Sequence, residues 1–166
     1  MKNNHLTETT FAQFDIVQSL KTALDKVGYT QCTPIQAKTL PILMNNKDIA
    51  GQAQTGTGKT LAFLVATFNH LLKNPIEGER KANQVRSLIM APTRELAIQI
   101  YNDAKPLAES TGIKLALVYG GDGYEQQIND LENGADIVIA TTGRLIDFMK
   151  KGHIDLGYVQ AAVLDE

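Results

Sequence analysis

The sequence predicts an α/β fold in which a mostly parallel sheet carries helices on both faces. Short continuous apolar runs alternate with longer segments in which apolar residues recur every third or fourth position. This alternation is typical of buried parallel strands and the helices that cover them. In addition, a glycine-rich loop, "AQTGTGKT" at residues 53–60, lies between an apolar stretch and a helical segment. With 166 residues, of which 43% are hydrophobic, the chain suits one domain with a buried core.

Two helices are predicted in the N-terminal part of the chain. Over residues 15–27 the apolar positions have helical spacing, with Asp15 as the expected N-cap and Gly28 as the terminator. A Thr-Pro pair at residues 33–34 predicts the start of a second short helix. Pro41 is expected to kink or end that helix.

The remainder of the chain is predicted to alternate strands and helices. "DIAGQA" (48–53) is expected to be a short buried strand and "KTLAFLVATFNHLLK" (59–73) a buried helix. The polar residues 74–86 are expected to form a surface loop with no special chemistry. Further strands are predicted at "SLIMA" (87–91), "KLALVYG" (114–120), "DIVIAT" (136–141) and "AAVLDE" (161–166). The helices between them are predicted at "RELAIQIYNDAKPLAES", "YEQQINDLEN" and "GRLIDFMKK".

Composition narrows the classes of function. No apolar stretch is long enough to span a bilayer, and "MKNNHLTETTF" lacks the apolar centre of a signal peptide, so we expect a cytoplasmic protein without membrane contact. Cys32 is the single cysteine and is expected to be a packed residue. The net charge of −2 provides no general attraction to nucleic acid, so an RNA or DNA site must be a local arrangement of donors.

The loop at residues 53–60 has the composition of a phosphate-binding loop. Glycines between a strand and a helix let backbone N–H groups point inward, and the helix N-terminus adds partial positive charge. Lys59 is expected to reach the β- and γ-phosphates, and the Thr60 hydroxyl to coordinate Mg²⁺. The alternative is a flexible turn with a surface lysine. The residues expected to hold the nucleotide here are Ala53, Gln54, Thr55, Gly56, Thr57, Gly58, Lys59 and Thr60.

Two carboxylates follow the last apolar run. The end of a parallel strand brings such residues to the ligand edge of a sheet. Asp165 is therefore expected to hold Mg²⁺, and Glu166 to orient and deprotonate the attacking water, with Lys59 completing the catalytic set of a nucleoside triphosphatase. Because acids are common at strand ends, this prediction depends on the pairing with the loop.

Several motifs, in a fixed order from Phe11 to Glu166, resemble those of the DEAD-box RNA helicases. "GYTQCTPIQ" (28–36) is similar to the Q motif of that family, and Phe11 corresponds to its isolated upstream aromatic residue. The resemblance implies that Gln36 hydrogen-bonds the adenine edge and that Phe11 stacks near the base. It also implies that Thr33 supports the positions of Gln36 and Phe11.

Three further motifs resemble the RNA-binding motifs of the same family. "APTRELA" (91–97) is similar to motif Ia, "YGG" (119–121) to the GG motif and "TTGR" (141–144) to motif Ib, with Thr142 in place of the usual Pro. Each motif begins where a predicted strand ends, and contacts to the RNA backbone from there read no sequence. The residues implied to contact RNA are Pro92, Thr93, Arg94, Gly120, Gly121, Thr141 and Arg144.

The resemblance also implies the domain organisation. Residues 33–166 correspond to the first domain of the helicase, a RecA-like P-loop NTPase domain that uses ATP and Mg²⁺, and residues 1–32 to an N-terminal extension with the start of the Q-motif region. The family continues the acidic strand as Asp-Glu-Ala-Asp and adds a second RecA-like domain. We therefore expect a chain truncated at the DEAD-box strand, part of a longer protein and inactive alone.

The segments "IAGQAQTGTGKT", "YGGDGY" and "TTGRLID" resemble a subgroup of the family that belongs to the bacterial RNA-degrading complex. This resemblance implies ATP-dependent unwinding of short RNA duplexes in RNA degradation, with partner proteins that bind the second domain. Two alternatives stay open. The protein is a DNA-directed helicase, which the arrangement of Gln36 and Phe11 argues against, or it is a non-catalytic module that binds a nucleotide or a protein.

Overall fold

The structure, a computed structural model, describes residues 6–166, and its contacts divide the chain into two units, Met1–Asn74 and Pro75–Glu166. The first unit contains a 3-10 helix, Phe11–Gln13, and the helices α1 (Gln18–Lys26), α2 (Pro34–Met44) and α3 (Lys59–Lys73). The second contains β1 (Ser87–Met90), α4 (Arg94–Thr111), β2 (Leu115–Val118), α5 (Tyr124–Glu132), β3 (Ile137–Ala140), α6 (Thr142–Lys150) and β4 (Ala161–Leu164). The predicted division between residues 1–32 and 33–166 describes family organisation and stays a prediction.

Helix α1 begins later than the sequence predicts. Its N-cap is Val17, so the prediction of Asp15 in that role is wrong. The buried Asn69 amide satisfies the backbone here, because Asn69 Oδ1 accepts from the Val17 N–H at 2.9 Å and Nδ2 donates to the Asp15 carbonyl at 3.0 Å. The Asp15 carboxylate instead pairs with Lys73, whose hydrogen bond and charge lower the pKa of Asp15. A contact from a distant helix thus replaces a local cap.

Helix α2 has the predicted start but continues through its proline. Thr33 and Gln36 form a capping box, in which Gln36 Oε1 accepts from the Thr33 N–H at 2.8 Å and Thr33 Oγ1 accepts from the Gln36 N–H at 3.5 Å. The helix runs to Met44, so the expectation that Pro41 ends it is wrong. Packing against α3 and the complete burial of Leu40 compensate for the one backbone hydrogen bond that proline removes.

The segment "DIAGQA" does not form the predicted strand. Residues 48–53 have no regular secondary structure, and residues 48–52 are exposed. A strand requires a hydrogen-bonded neighbour, and within residues 6–74 the structure has no other strand to pair with this segment. By contrast, the predicted helix after the loop is confirmed, because α3 spans Lys59–Lys73.

A four-stranded parallel sheet of order β2-β3-β1-β4 forms the centre of the second unit. Each strand lies inside one of the apolar runs that the sequence identifies, so these strand predictions are confirmed. In the register of the sheet, Ala140 lies beside both Met90 and Val118, and Leu164 lies beside Met90. The carboxyl ends of all four strands are therefore level along one edge.

The sheet has helices on both faces, as predicted. One buried cluster joins strand residues to α5 and α6; it contains Leu88, Ala116, Val118, Leu131, Val138, Ala140, Leu145 and Phe148. The alternate strand residues Ile89, Ile137 and Ile139 are also completely buried. Because successive strand side chains point to opposite faces and parallel connections are right-handed, these residues lie on the face covered by α4.

The two ends of the second unit differ in burial from what their sequences suggest, since part of the polar segment is buried and an apolar strand residue is exposed. Residues 74–86 are not merely a surface loop, because Val85 is fully buried and Arg80 Nη2 donates to Asp136 Oδ1 at 2.7 Å. At the other end, β4 is an edge strand of the described sheet and its Leu164 is 79% exposed. In the part of the chain from residue 6 onward, no helix has both the length and the apolar character needed to cross a bilayer.

The role of Asn69 predicts a specific loss of stability. We expect Asn69→Ala to destabilise the protein by about 1–3 kcal/mol, because it leaves the Asp15 carbonyl and the Val17 N–H without their partner. Asn129→Ala, on the exposed face of α5, is the matched control and should change stability by less than about 0.5 kcal/mol. Urea titration of both variants measures the difference. Equal stability of the two variants would contradict the assigned role.

Candidate functional site

The glycine-rich loop curls back on itself. Gly56 and Gly58 have φ angles of +80° and +91°, in the left-handed region that favours glycine. Across the loop, Lys59 Nζ donates to the Ala53 carbonyl at 2.7 Å, and Thr57 Oγ1 donates to the Gln54 carbonyl at 2.7 Å. The lysine ammonium therefore lies over the loop instead of extending into solvent.

The loop ends at the N-terminus of α3. The first backbone N–H groups of a helix have no acceptor within the helix, and they carry its partial positive charge. Gly58, the N-cap, has no side chain with which to cap them. The free N–H groups and the Lys59 ammonium are donors that suit a phosphate group. The Thr60 hydroxyl is an oxygen ligand that suits Mg²⁺.

The Q-motif segment packs directly on the loop. Gln36 is 3% exposed, and its Nε2 donates to the Gly58 carbonyl at 3.1 Å. A Cβ atom on Gly58 would lie 2.5 Å from Gln36 Nε2 and 2.9 Å from Thr33 Oγ1, so both packing and φ require glycine at residue 58. After its contacts with Thr33 and Gly58, the Gln36 amide retains one N–H and one lone pair, which suit the edge of an adenine. That contact remains a prediction.

The N-terminal segment brings Phe11 to the Q motif. The Phe11 N–H donates to the Thr30 carbonyl at 3.0 Å, and the Cys32 N–H donates to the Thr9 carbonyl at 2.8 Å. The Phe11 side chain is buried in the first unit, and its predicted stacking near a base stays a prediction. Cys32 is buried as expected, and burial raises the pKa of its thiol to about 11.

The predicted acids follow β4 at the carboxyl edge of the sheet. The Asp165 N–H donates to the Met90 carbonyl at 3.0 Å, which continues the pairing of β4 with β1. Glu166 is exposed and has a φ of +66°. Among residues 6–166, no group of three or more His, Cys, Asp and Glu side chains gathers as a metal site. The roles of Asp165 and Glu166 with Mg²⁺ and water stay predictions.

Arg94 lies at the same edge, in the first turn of α4. The helix begins there because Thr93 Oγ1, as N-cap, accepts from the Leu96 N–H at 3.2 Å. Arg94 Nη1 forms an ion pair with Asp122 Oδ1 at 2.9 Å, and the guanidinium carbon lies 4.5 Å from the centre of the Tyr119 ring. A hydrogen bond from its own backbone and the Arg94 guanidinium hold the pKa of Asp122 below its usual range.

Arg144 also contacts this glycine loop around Gly121. Its Nη2 donates to the Gly121 carbonyl at 3.3 Å, and its guanidinium carbon lies 4.8 Å from the centre of the Tyr124 ring. Gly121 has a φ of +108°, and a Cβ atom there would lie 3.3 Å from Arg94 Nη1. Glycine at this position thus lets the chain pass close to Arg94.

Gln127 holds this loop in place, although nothing in the sequence pattern pointed to it. Its side chain is 5% exposed; Oε1 accepts from the Tyr119 N–H and from Arg144 Nη1, both at 3.2 Å. Its Nε2 donates to the carbonyls of Tyr119 at 3.2 Å and Asp122 at 3.1 Å. Gln127 lies one helical turn after Gly123, the N-cap of α5, and this position near a helix start is the one sequence feature that could have indicated its role.

The predicted site residues therefore form two groups, one in each of the two units. The first group is Phe11, Thr33, Gln36 and the loop 53–60. The second lies after the strand ends; it comprises Pro92, Thr93, Arg94, Gly120, Gly121, Thr141, Arg144, Asp165 and Glu166. Thr141 joins this edge because its N–H donates to the Val118 carbonyl at 2.9 Å. Contact of the second group with RNA stays a prediction.

Comparison with known proteins shows the family of the chain. The family profile of the DEAD/DEAH box helicases matches residues 33–166. The chain belongs to the DEAD/DEAH box helicase family. It is 61% identical over its whole length to an ATP-dependent RNA helicase RhlB from Vibrio atlanticus and 58% identical to one from Escherichia coli K12. These matches span 38% and 39% of the two relatives.

A solved structure supports the fold of this DEAD-box chain. The crystal structure of a DEAD box protein from the hyperthermophile Methanococcus jannaschii matches with a TM-score of 0.80 and 32% sequence identity. The match covers 95% of this chain and 41% of that protein. The predicted RecA-like fold class is thus confirmed.

The close approach at Gly58 generates a prediction about stability. We expect Gly58→Ala to destabilise the protein clearly more than Gly112→Ala, by about 1–3 kcal/mol. Both glycines have positive φ, but a Cβ atom at Gly112 meets nothing within 4 Å, whereas at Gly58 it meets Gln36 and Thr33. Urea titration without nucleotide isolates this packing effect. Equal losses in the two variants would show that the Q-motif contact is loose.

Proposed function

We propose that the complete gene product is an ATP-dependent RNA helicase and that these residues supply ATP-binding and RNA-binding surfaces. Membership of the DEAD/DEAH box helicase family supports this proposal, as does the identity to relatives named ATP-dependent RNA helicase. The observation that carries it is the hydrogen bond of 3.1 Å between Gln36 Nε2 and the Gly58 carbonyl. It joins a segment suited to adenine to a loop suited to phosphates.

In the proposed reaction, the loop holds the triphosphate and Lys59 compensates its charge. The Lys59 ammonium now donates to the Ala53 carbonyl, a neutral acceptor that a phosphate oxygen replaces favourably, because charge-assisted hydrogen bonds are stronger. Thr60 and Asp165 are the proposed ligands of Mg²⁺, which neutralises developing charge when bound. Glu166 is the proposed base that orients and deprotonates the attacking water.

The carboxyl edge of the sheet is the proposed RNA surface. Arg94 and Arg144 supply guanidinium groups, while Thr93 and Thr141 each supply a hydroxyl; all of these suit phosphate oxygens and sugar hydroxyls. Contacts of this kind bind any RNA sequence. Binding of one strand, coupled to ATP, lets the other strand of a short duplex dissociate.

We also propose a role in RNA degradation in the cytoplasm, with an RNA-degrading complex as the partner. The segments "YGGDGY" and "TTGRLID" and the 58–61% identity to RhlB relatives support this assignment. ATP turnover measured with single-stranded RNA and with single-stranded DNA of the same sequence separates the proposal from a DNA-directed helicase. Nucleotide binding without turnover on either would favour a non-catalytic module.

Loss of the loop lysine tests the phosphate site. We expect Lys59→Ala to abolish ATP turnover by the complete gene product at saturating RNA, because the triphosphate charge is left uncompensated. Lys47→Ala removes the same charge from an exposed position of the same unit and should retain the parent rate. Steady-state phosphate release gives both rates. A Lys59→Ala rate within a few-fold of the parent would rule out the phosphate-loop assignment.

Nucleotide preference tests the role of Gln36. We expect RNA-stimulated hydrolysis of ATP to be much faster than that of GTP, because guanine would leave the buried amide mispaired. Gln36→Ala should narrow this preference, whereas Gln18→Ala, at the exposed start of α1, should not. Rates for both nucleotides over a range of concentrations give kcat/KM. Equal values in the unmodified protein would contradict the adenine assignment.

A further inference from the structure

Arg94, one of the proposed RNA-binding residues, already has an anionic partner. Nη1 of its guanidinium lies 2.9 Å from Asp122 Oδ1, and Nη2 lies 3.5 Å from Asp122 Oδ2. This is the paired geometry in which a guanidinium binds a carboxylate, and a phosphate uses the same donors in the same way. The Asp122 carboxylate therefore occupies the position on Arg94 that an RNA phosphate would need.

The surrounding loop holds Asp122 at this position. The buried Gln127 amide donates to the Asp122 carbonyl at 3.1 Å, and Gly121, with its φ of +108°, turns the chain toward Arg94. The Arg94 guanidinium also packs on the ring of Tyr119, within the same loop. These contacts fix the backbone at Asp122, so its carboxylate starts within reach of the Arg94 guanidinium.

The ion pair is nevertheless weak enough to be displaced. The side chains of Arg94 and Asp122 are 43% and 74% exposed, and ion pairs at such positions contribute little net stability. Arg144 differs, because its guanidinium donates to two neutral acceptors, the Gly121 carbonyl and Gln127 Oε1, although its charge also acts on Asp122. Of the two guanidinium groups, Arg94 is therefore the one that is hydrogen-bonded to a carboxylate.

We propose that Asp122 competes with RNA phosphate for the Arg94 guanidinium and thereby sets the affinity of the RNA surface. The proposal rests on the RNA-binding function proposed above. When a phosphate binds Arg94, the carboxylate is displaced but remains next to the phosphate, where the two like charges repel each other. Asp122 thus weakens RNA binding twice, by occupying the donors and by its charge.

The test measures binding of a fluorescein-labelled single-stranded RNA to the complete gene product by anisotropy, with a saturating non-hydrolysable ATP analogue. Salt is held constant, because phosphate contacts make affinity salt-dependent. We expect Asp122→Asn to tighten binding about three- to tenfold, and Asp122→Ser to do likewise. Asp130→Asn removes the same charge from the later part of α5, where its side chain contacts Gln126, and should change affinity less than about twofold.

A second measurement separates competition for Arg94 from general electrostatics. In an Arg94→Ala background, the gain from Asp122→Asn is expected to fall below about twofold, because the contested donors are gone. An unchanged gain in that background would overturn the proposal, as would unchanged or weaker binding by the single Asp122 variants. Absence of RNA binding by the unmodified protein is a different result, and it would refute the proposed function itself.

Discussion

The level register of the parallel strands is the constraint on which the candidate RNA surface depends. Because Ala140 lies beside Met90 and Val118, the segments after β1, β2 and β3 leave the sheet at the same height. Side chains that are far apart in the sequence therefore lie close enough to contact the same glycine loop around Gly121, as Arg94 and Arg144 do. Backbone hydrogen bonds of the sheet bring the two segments to one edge, and the contacts of Arg94, Arg144 and Gln127 then fix the glycine loop there.

In the first unit, side-chain hydrogen bonds and not a sheet bring the predicted site residues together. Here a capping box at the start of α2 fixes the Gln36 amide, and that amide holds the Gly58 carbonyl at the start of α3. Two helix N-termini are thus joined through one buried side chain. The arrangement couples the position of the group suited to a base with that of the loop suited to phosphates, so neither can move far alone.

The sequence predicts the sheet well because burial leaves a strong pattern: four continuous apolar runs become four strands. It fails where distant partners decide the outcome. Residues 48–53 are apolar enough for a strand but have no other strand to pair with inside their unit, and Asn69 replaces the cap expected of Asp15.

The candidate site also divides into residues that the sequence predicts and contacts that it does not. Motifs locate Arg94 and Arg144, but the φ of Gly121 and the four hydrogen bonds of Gln127 exist only in three dimensions.

The buried amide of Gln127 has an energetic consequence for any ligand at this edge. A loop that is disordered before binding loses conformational entropy on binding, at about 1–2 kcal/mol for each residue fixed. Because Gln127 already holds Tyr119 and Asp122 through their backbone groups, that entropy is lost during folding and not at the moment of association. The edge is therefore preorganised: ligand affinity there reflects the strength of the contacts themselves, with little subtracted for ordering the chain.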